Sequence, residues 1–142
     1  MADIFEGFET TPLKLTFTGT WTRTNATSRS GSWSYRAQTI ADGGYSGTVM
    51  TVPPGVDKLV FWYRVSSELA CDFFRVQLGT NQVLNVSGDI AWTRAEFSLV
   101  GVSQVTFSYS KDGSSAVGSD TAWIDDITLS SPGGGWGPVP LF

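Results

Sequence analysis

From Asp57 to Ser66 the sequence DKLVFWYRVS sets Leu59, Phe61, Tyr63 and Val65 on one side of an extended strand, and Val60, Trp62 and Arg64 on the other. The first side is wholly apolar or aromatic and requires a second layer to cover it. The second joins a large aromatic to a cation, which suits a partly exposed face or one covered by a partner. β-Branched and aromatic residues dominate, and Pro53, Pro54 and Gly55 punctuate the approach. The stretch is expected to be a central strand, with the rest of the chain arranged to cover its inner side.

The same period of two recurs along the chain. Asp3 to Glu9 sets Ile4, Glu6 and Phe8 against Phe5 and Gly7, while Thr10 to Gly19, carrying Pro12, reads as a connection or irregular edge. Trp21 to Thr24 is a short Thr-rich segment, Asn25 to Gly31 a loop, and Ser32 to Gln38 alternates Trp33, Tyr35 and Ala37 against Ser32, Ser34 and Arg36. Further strands are expected over Tyr45 to Val52, Asp72 to Leu78, Gln82 to Val86, Trp92 to Leu99, Gln104 to Ser110 and Thr121 to Leu129. No stretch sustains a 3.6-residue apolar period. The pattern therefore predicts an all-β, two-sheet antiparallel sandwich with little or no helix.

Composition narrows the function. The chain has 142 residues, enough for one domain with a core, and its 13% aromatic content supplies that core. Only 15% of residues are charged and the net charge is -4, which argues against nucleic acid as a partner. Cys71 is the sole cysteine, so an intrachain disulfide is excluded and a small buried thiol is expected. The opening MADIFEGFET lacks the cationic and apolar regions of a signal peptide, and no apolar run reaches membrane-span length. Synthesis in the cytoplasm without membrane insertion is the corresponding expectation.

From Ser131 the character changes to SPGGGWGPVPLF. Residues 1–130 read as the sandwich and 131–142 as a Gly/Pro-rich apolar arm. Trp136, Val139, Leu141 and Phe142 suit either a frayed end or an arm that docks on a neighbouring subunit or on its own domain.

Six segments taken together resemble the jelly-roll modules of bacterial surface and secreted proteins, related in shape to MAM and carbohydrate-binding domains. They are FEGFE (Phe5 to Glu9), SGSWSYRA (Ser30 to Ala37), LVFWYRVSSE (Leu59 to Glu68), CDFFRVQL (Cys71 to Leu78), VSGDIAW (Val86 to Trp92) and the run from Val105 to Leu129. The resemblance implies a jelly roll with the Leu59 to Val65 strand central, and says little of activity. Such modules usually sit in long secreted chains. A free-standing copy with an apolar tail resembles a bacteriophage virion protein: a capsid decoration, or a head- or tail-fibre component. Virion proteins or further copies of itself would then be its partners, and the virion its location.

Chemistry is sparse. Without histidine, Ser-His-Asp and Cys-His nucleophiles are excluded, and the neighbouring Asp125 and Asp126 point to opposite faces of one strand, unlike a glycosidase pair. No enzymatic activity and no required cofactor are expected. The resemblance implies that acidic residues of the first and last strands meet at the sandwich edge and hold Ca²⁺, which maps here onto Glu6 or Glu9 with Asp126 and Asp125. The same carboxylates are equally served by Arg23, Arg36, Lys14 or backbone N–H groups. A glycan or partner face is the other candidate: Trp62 and Arg64, with Phe73, Arg75 and Gln77 on the next strand and Gln104, Thr106 and Ser108 extending it. Aromatics beside Arg and Gln suit sugar rings and their hydroxyls, but also suit cover by a loop or another subunit. The leading expectation is thus a non-enzymatic structural or adhesion protein of a phage particle. The alternative is a carbohydrate-binding module acting through this aromatic and arginine face.

Overall fold

The computed structural model describes residues 3–41, 43–67, 71–111 and 121–131. Alternation becomes strand throughout: β1 (Ile4–Glu6), β2 (Phe17–Gly19), β3 (Thr22–Thr24), β4 (Ser34–Arg36), β5 (Tyr45–Thr51), β6 (Lys58–Ser66), β7 (Phe73–Leu78), β8 (Asn81–Val86), β9 (Asp89–Ser98), β10 (Gln104–Ser110) and β11 (Thr121–Ser130). No helix occurs among the described residues. One sheet runs β3-β4-β11-β6-β9, with β1 also paired to β11, and the other runs β2-β5-β10-β7-β8. All pairings are antiparallel, so the expected two-sheet sandwich is observed.

The core forms where the two inner faces meet. β6 contributes Leu59, Phe61, Tyr63 and Val65, and β11 contributes Ala122, Ile124, Ile127 and Leu129. The opposite sheet supplies Met50, Phe74, Val76, Val105, Phe107 and Tyr109. Phe61 meets Phe107 edge-on at 5.3 Å, and Tyr63 meets Phe74 at 5.5 Å, tying the layers together. Each such side chain removed from water contributes about 1.5–3 kcal/mol, which makes this layer the main source of stability. Trp21 is buried beside it, its indole N–H donating to the Ser46 carbonyl at 3.0 Å.

Three local departures matter. β1 stops at Glu6, because Phe8 takes a left-handed backbone (φ 62°) that turns its ring into the core, stacked on Tyr35 at 4.9 Å. β11 carries a bulge between Asp125 and Thr128, with Asp126 at φ 48°. The bulge slips the alternation by one residue: Ile127 and Leu129 join Ile124 on the inner side, whereas strict alternation aligned them with Asp125. Cys71 is half-buried rather than the small buried residue expected.

Trp33, Trp92 and Trp123 do not follow Trp21 into the core. Trp33 lies under the Arg23 guanidinium at 4.0 Å, Trp92 is half-buried on β9, and Trp123 is buried on the outer side beneath Arg64 at 4.9 Å.

Candidate functional site

Two outer faces could meet a ligand, and the structure treats them differently. On the β6–β11 face, Trp62, Arg64, Trp123 and Asp125 point away from the core, and the Asn25–Trp33 loop lies across them. Arg29 places its guanidinium 3.9 Å above the Trp62 ring, and Arg64 donates to Thr27 Oγ1 at 2.9 Å. Asp125 Oδ2 accepts from the Arg29 N–H at 2.8 Å, and Oδ1 from the Asp126 N–H at 2.7 Å. Asp126 Oδ2 accepts from Ser30 Oγ at 2.6 Å and pairs with Arg29 Nη1 at 3.3 Å. At the loop's far end, Glu9 accepts the N–H groups of Ser32 and Trp33, both at 2.8 Å. Gly31 (φ 66°) permits this closeness, since a Cβ there would stand 2.5 Å from Glu9 Cδ. This face is closed by the chain itself.

Burial, reinforced by the neighbouring Asp126 charge, pushes the Asp125 carboxyl up to about 7 against the pull of the Arg29, Asp126 and Ser30 N–H groups. The closed face therefore holds a group that titrates near neutrality.

The acidic residues expected to gather around Ca²⁺ do not form one ligand set. Glu6 is buried and accepts from the N–H groups of Phe8 (3.0 Å), Leu15 (3.2 Å) and Lys14. Glu9 is spent on Ser32 and Trp33, and Asp125 and Asp126 on the Asn25–Trp33 loop. Among the described residues no three acidic side chains lie close enough together to hold a metal. The donor chemistry here fits backbone anchoring, one of the two readings the sequence left open.

The expected glycan face is split. β6 and β7 belong to different sheets, so Trp62 and Arg64 lie on one outer surface while Phe73, Arg75 and Gln77 lie on the opposite one, across the roughly 10 Å between packed sheets. Phe73, Arg75 and Gln77 do share a surface with Thr106 and Ser108, as expected, because Ser108 stands opposite Arg75 and Thr106 opposite Gln77. On the other side of β10, Ser110 stands opposite Tyr45, Ser108 opposite Gly47 and Thr106 opposite Val49. β8 adds Asn85 beside Arg75.

On this face the bulky Tyr45 and Phe73 stand on β5 and β7 with the smaller Ser110 and Ser108 of β10 between them, an arrangement that outlines a trough. Tyr45, 63% exposed, folds its ring over Gly47, where a Cβ would come within 2.9 Å of ring carbons. Two strands away, about 10 Å, Arg75 lies over the Phe73 ring at 4.8 Å and donates to Ser110 Oγ at 2.7 Å. Ser108 lies on the floor between them. Sequence reasoning placed Phe73, Arg75 and Gln77 on an outer face, as observed, and did not single out Tyr45, whose partner is a glycine that leaves no hydropathy signal.

A third hollow, about 450 Å³, lies between residues 52–57 and 99–103. Its lining is mostly Val, Pro and Leu, with few side chains able to orient a polar ligand. The tail residues Trp136, Val139, Leu141 and Phe142, expected to dock on a partner, lie outside the described residues.

No family model matches the chain, and no curated protein matches its sequence. Solved structures share its architecture. The K2 cleaved adhesin domain of Lys-gingipain superposes with a TM-score of 0.66 at 15% identity, covering 91% of this chain and 98% of that one. The K1 domain from Porphyromonas gingivalis gives 0.62 at 17% identity, covering 92% and 99%. The CBM51 module of Clostridium perfringens, solved with methyl-galactose, gives 0.52 at 17% identity, covering 92% and 90%. At these identities the likeness establishes a shared β-sandwich fold.

Proposed function

We propose that the protein is a non-catalytic glycan-binding module whose ligand lies along the β5–β10–β7 trough. The observation that carries this reading is the exposed Tyr45 ring lying over Gly47, on the same outer face as Arg75 and Phe73, with Ser108 and Thr106 between them. An apolar ring surface stacks on the C–H face of a sugar, while hydroxyl, amide and guanidinium groups bond its hydroxyls. A sandwich of this shape has a precedent in the CBM51 complex with methyl-galactose, although the assignment rests on the face itself. Placement on a phage particle drew on the tail and gains no support from the described residues.

Glycan-array binding tests the reading. Wild type and Trp62→Ala should bind alike, whereas Tyr45→Ala should lose about tenfold or more in affinity, as the loss of a ring contact implies. Unchanged binding by Tyr45→Ala, or loss in Trp62→Ala alone, would reject the trough as the site.

A further inference from the structure

The strands of the β2-β5-β10-β7-β8 sheet read FTG, YSGTVMT, QVTFSYS, FFRVQL and NQVLNV. Arg75 is the single charged residue in all five. The other sheet contrasts with it, carrying Glu6, Arg23, Arg36, Lys58, Arg64, Asp89, Arg94, Glu96, Asp125 and Asp126 in its strands. There most cations find acids or carbonyls: Arg29 of the covering loop pairs with Asp126, Lys58 and Arg94 pair with Glu96, and Arg23 donates to the Phe8 carbonyl, while Arg64 donates to the Thr27 hydroxyl of the covering loop and lies over Trp123.

Arg75 has a hydroxyl and a ring as Arg64 does, but it stands on the sheet whose strands hold no other charge. Its Nη1 donates to Ser110 Oγ, its plane rests on Phe73, and among the described residues no carboxylate pairs with it. Its Nε and Nη2 donors take no acceptor among the described residues. The guanidinium is thus oriented by a neutral hydroxyl and an aromatic ring, with its remaining donors available in a trough of otherwise uncharged groups. That is the arrangement of a receptor for a planar anion, because a guanidinium edge meets a carboxylate through two parallel N–H···O bonds.

We propose that the ligand of the trough is an acidic glycan, and that Arg75 binds the carboxylate of a uronic acid residue. The proposal rests on the glycan-binding reading and adds the charge class of the sugar. Tyr45 supplies the stacking surface and Arg75 the anion contact, so the two ends of the trough read different parts of the ligand. A neutral hydroxyl could also accept from Arg75. What favours a carboxylate is the absence of any Asp or Glu from the five strands of this sheet on a chain whose net charge is -4, with no carboxylate on Arg75 among the described residues.

The test uses isothermal titration with uronate oligosaccharides (galacturonate, mannuronate–guluronate and glucuronate series) and with the methyl esters of the same oligomers, which keep the skeleton and remove the charge. At least one free-acid series should bind roughly tenfold or more tighter than its ester, and raised NaCl should narrow the gap. Arg75→Gln should weaken the acid far more than the ester, so that the two bind alike, and Arg75→Lys should restore part of the difference. Tyr45→Ala should weaken both forms alike. Equal affinity for acid and ester, a preference confined to sulfated heparin, or an acid preference that survives Arg75→Gln would overturn the proposal. Of these, neutral glycans bound in the trough without charge preference would spare the broader reading, whereas no binding to any glycan would remove both. Arg75 points away from the core, so thermal melting that matches wild type is the control for folding.

Discussion

Arg29 covers Trp62: its guanidinium sits 3.9 Å above the indole and simultaneously reaches Asp126 at 3.3 Å. One side chain thereby joins a loop to two strands of the sheet beneath it and shuts the face that carries the largest outward aromatic. Among the described residues the opposite sheet has no such cover over Tyr45, which is 63% exposed, and this asymmetry favours that surface as the one offered to a ligand.

Replacing Arg29 by Ala should open the closed face without unfolding the sandwich. A cation–π contact and a partly exposed ion pair together imply a loss of about 1–2 kcal/mol in urea unfolding. Acrylamide should quench tryptophan emission more strongly in Arg29→Ala than in wild type, and the increase should disappear when Trp62→Phe is added. Quenching unaffected by Arg29→Ala would mean that another group shields the ring.

The Asp125 carboxyl makes stability pH-dependent. Its folded-state value of about 7 stands above the ordinary carboxyl value of 3.8, so between those limits the folded protein holds a proton that the unfolded chain has released. The stabilisation from this group is complete below about pH 4 and is lost as pH rises through 7, with a slope of up to about 1.4 kcal/mol per unit. Asp125→Asn should flatten the fall in melting temperature between pH 5 and 7.5. A variant that loses stability across that interval as steeply as wild type would assign the titration elsewhere.

The acidic residues at the sandwich edge serve as anchors. Glu6 and Glu9 accept backbone N–H groups, as does Asp125, and Asp126 is held by Ser30 and Arg29. The melting temperature should therefore be the same in EGTA and in millimolar Ca²⁺. Glu6→Gln, which sets an amide N–H₂ against buried donors, should cost about 1–3 kcal/mol. A Ca²⁺-dependent rise of several degrees would require a ligand set that these contacts do not provide.

Gly47 offers a way to disturb the trough while sparing the core. A methyl group at this position would displace the exposed Tyr45 ring, and an exposed ring moves cheaply. Gly47→Ala should melt within a few degrees of wild type, since Gly→Ala changes at compatible positions contribute only about 0.4–1 kcal/mol, yet lose glycan affinity as Tyr45→Ala does. Wild-type affinity in Gly47→Ala would separate the ring's position from binding.

The inner face of β6 was legible from sequence because every alternate residue from Leu59 to Val65 is apolar, and burial is the strongest constraint on a strand. The same alternation correctly oriented β7 and β10. It misplaced Ile127 and Leu129 because a bulge needs only one extra residue, and the Asp125–Asp126 pair that tolerates it carries no periodic mark. It also sets Trp62 beside Phe73, because strands consecutive in sequence are read as neighbours in a sheet, whereas β6 and β7 belong to different sheets. The closure of the Trp62 face was hidden for a related reason. Asn25 to Gly31 is polar enough to be solvated, and composition does not reveal that the Arg29 and Ser30 N–H groups bind Asp125 while those of Ser32 and Trp33 just beyond bind Glu9.

The most direct measurement of the central claim is a ¹H–¹⁵N NMR titration of the full chain with galacturonate, mannuronate–guluronate and glucuronate oligosaccharides. Shifts should concentrate at Tyr45, Gly47, Arg75, Gln77, Thr106 and Ser108 and spare Arg29, Trp62 and Trp123. Shifts centred on the Asn25–Trp33 loop and Trp62, or spread evenly at ligand excess, would contradict a glycan site on the β5–β10–β7 face.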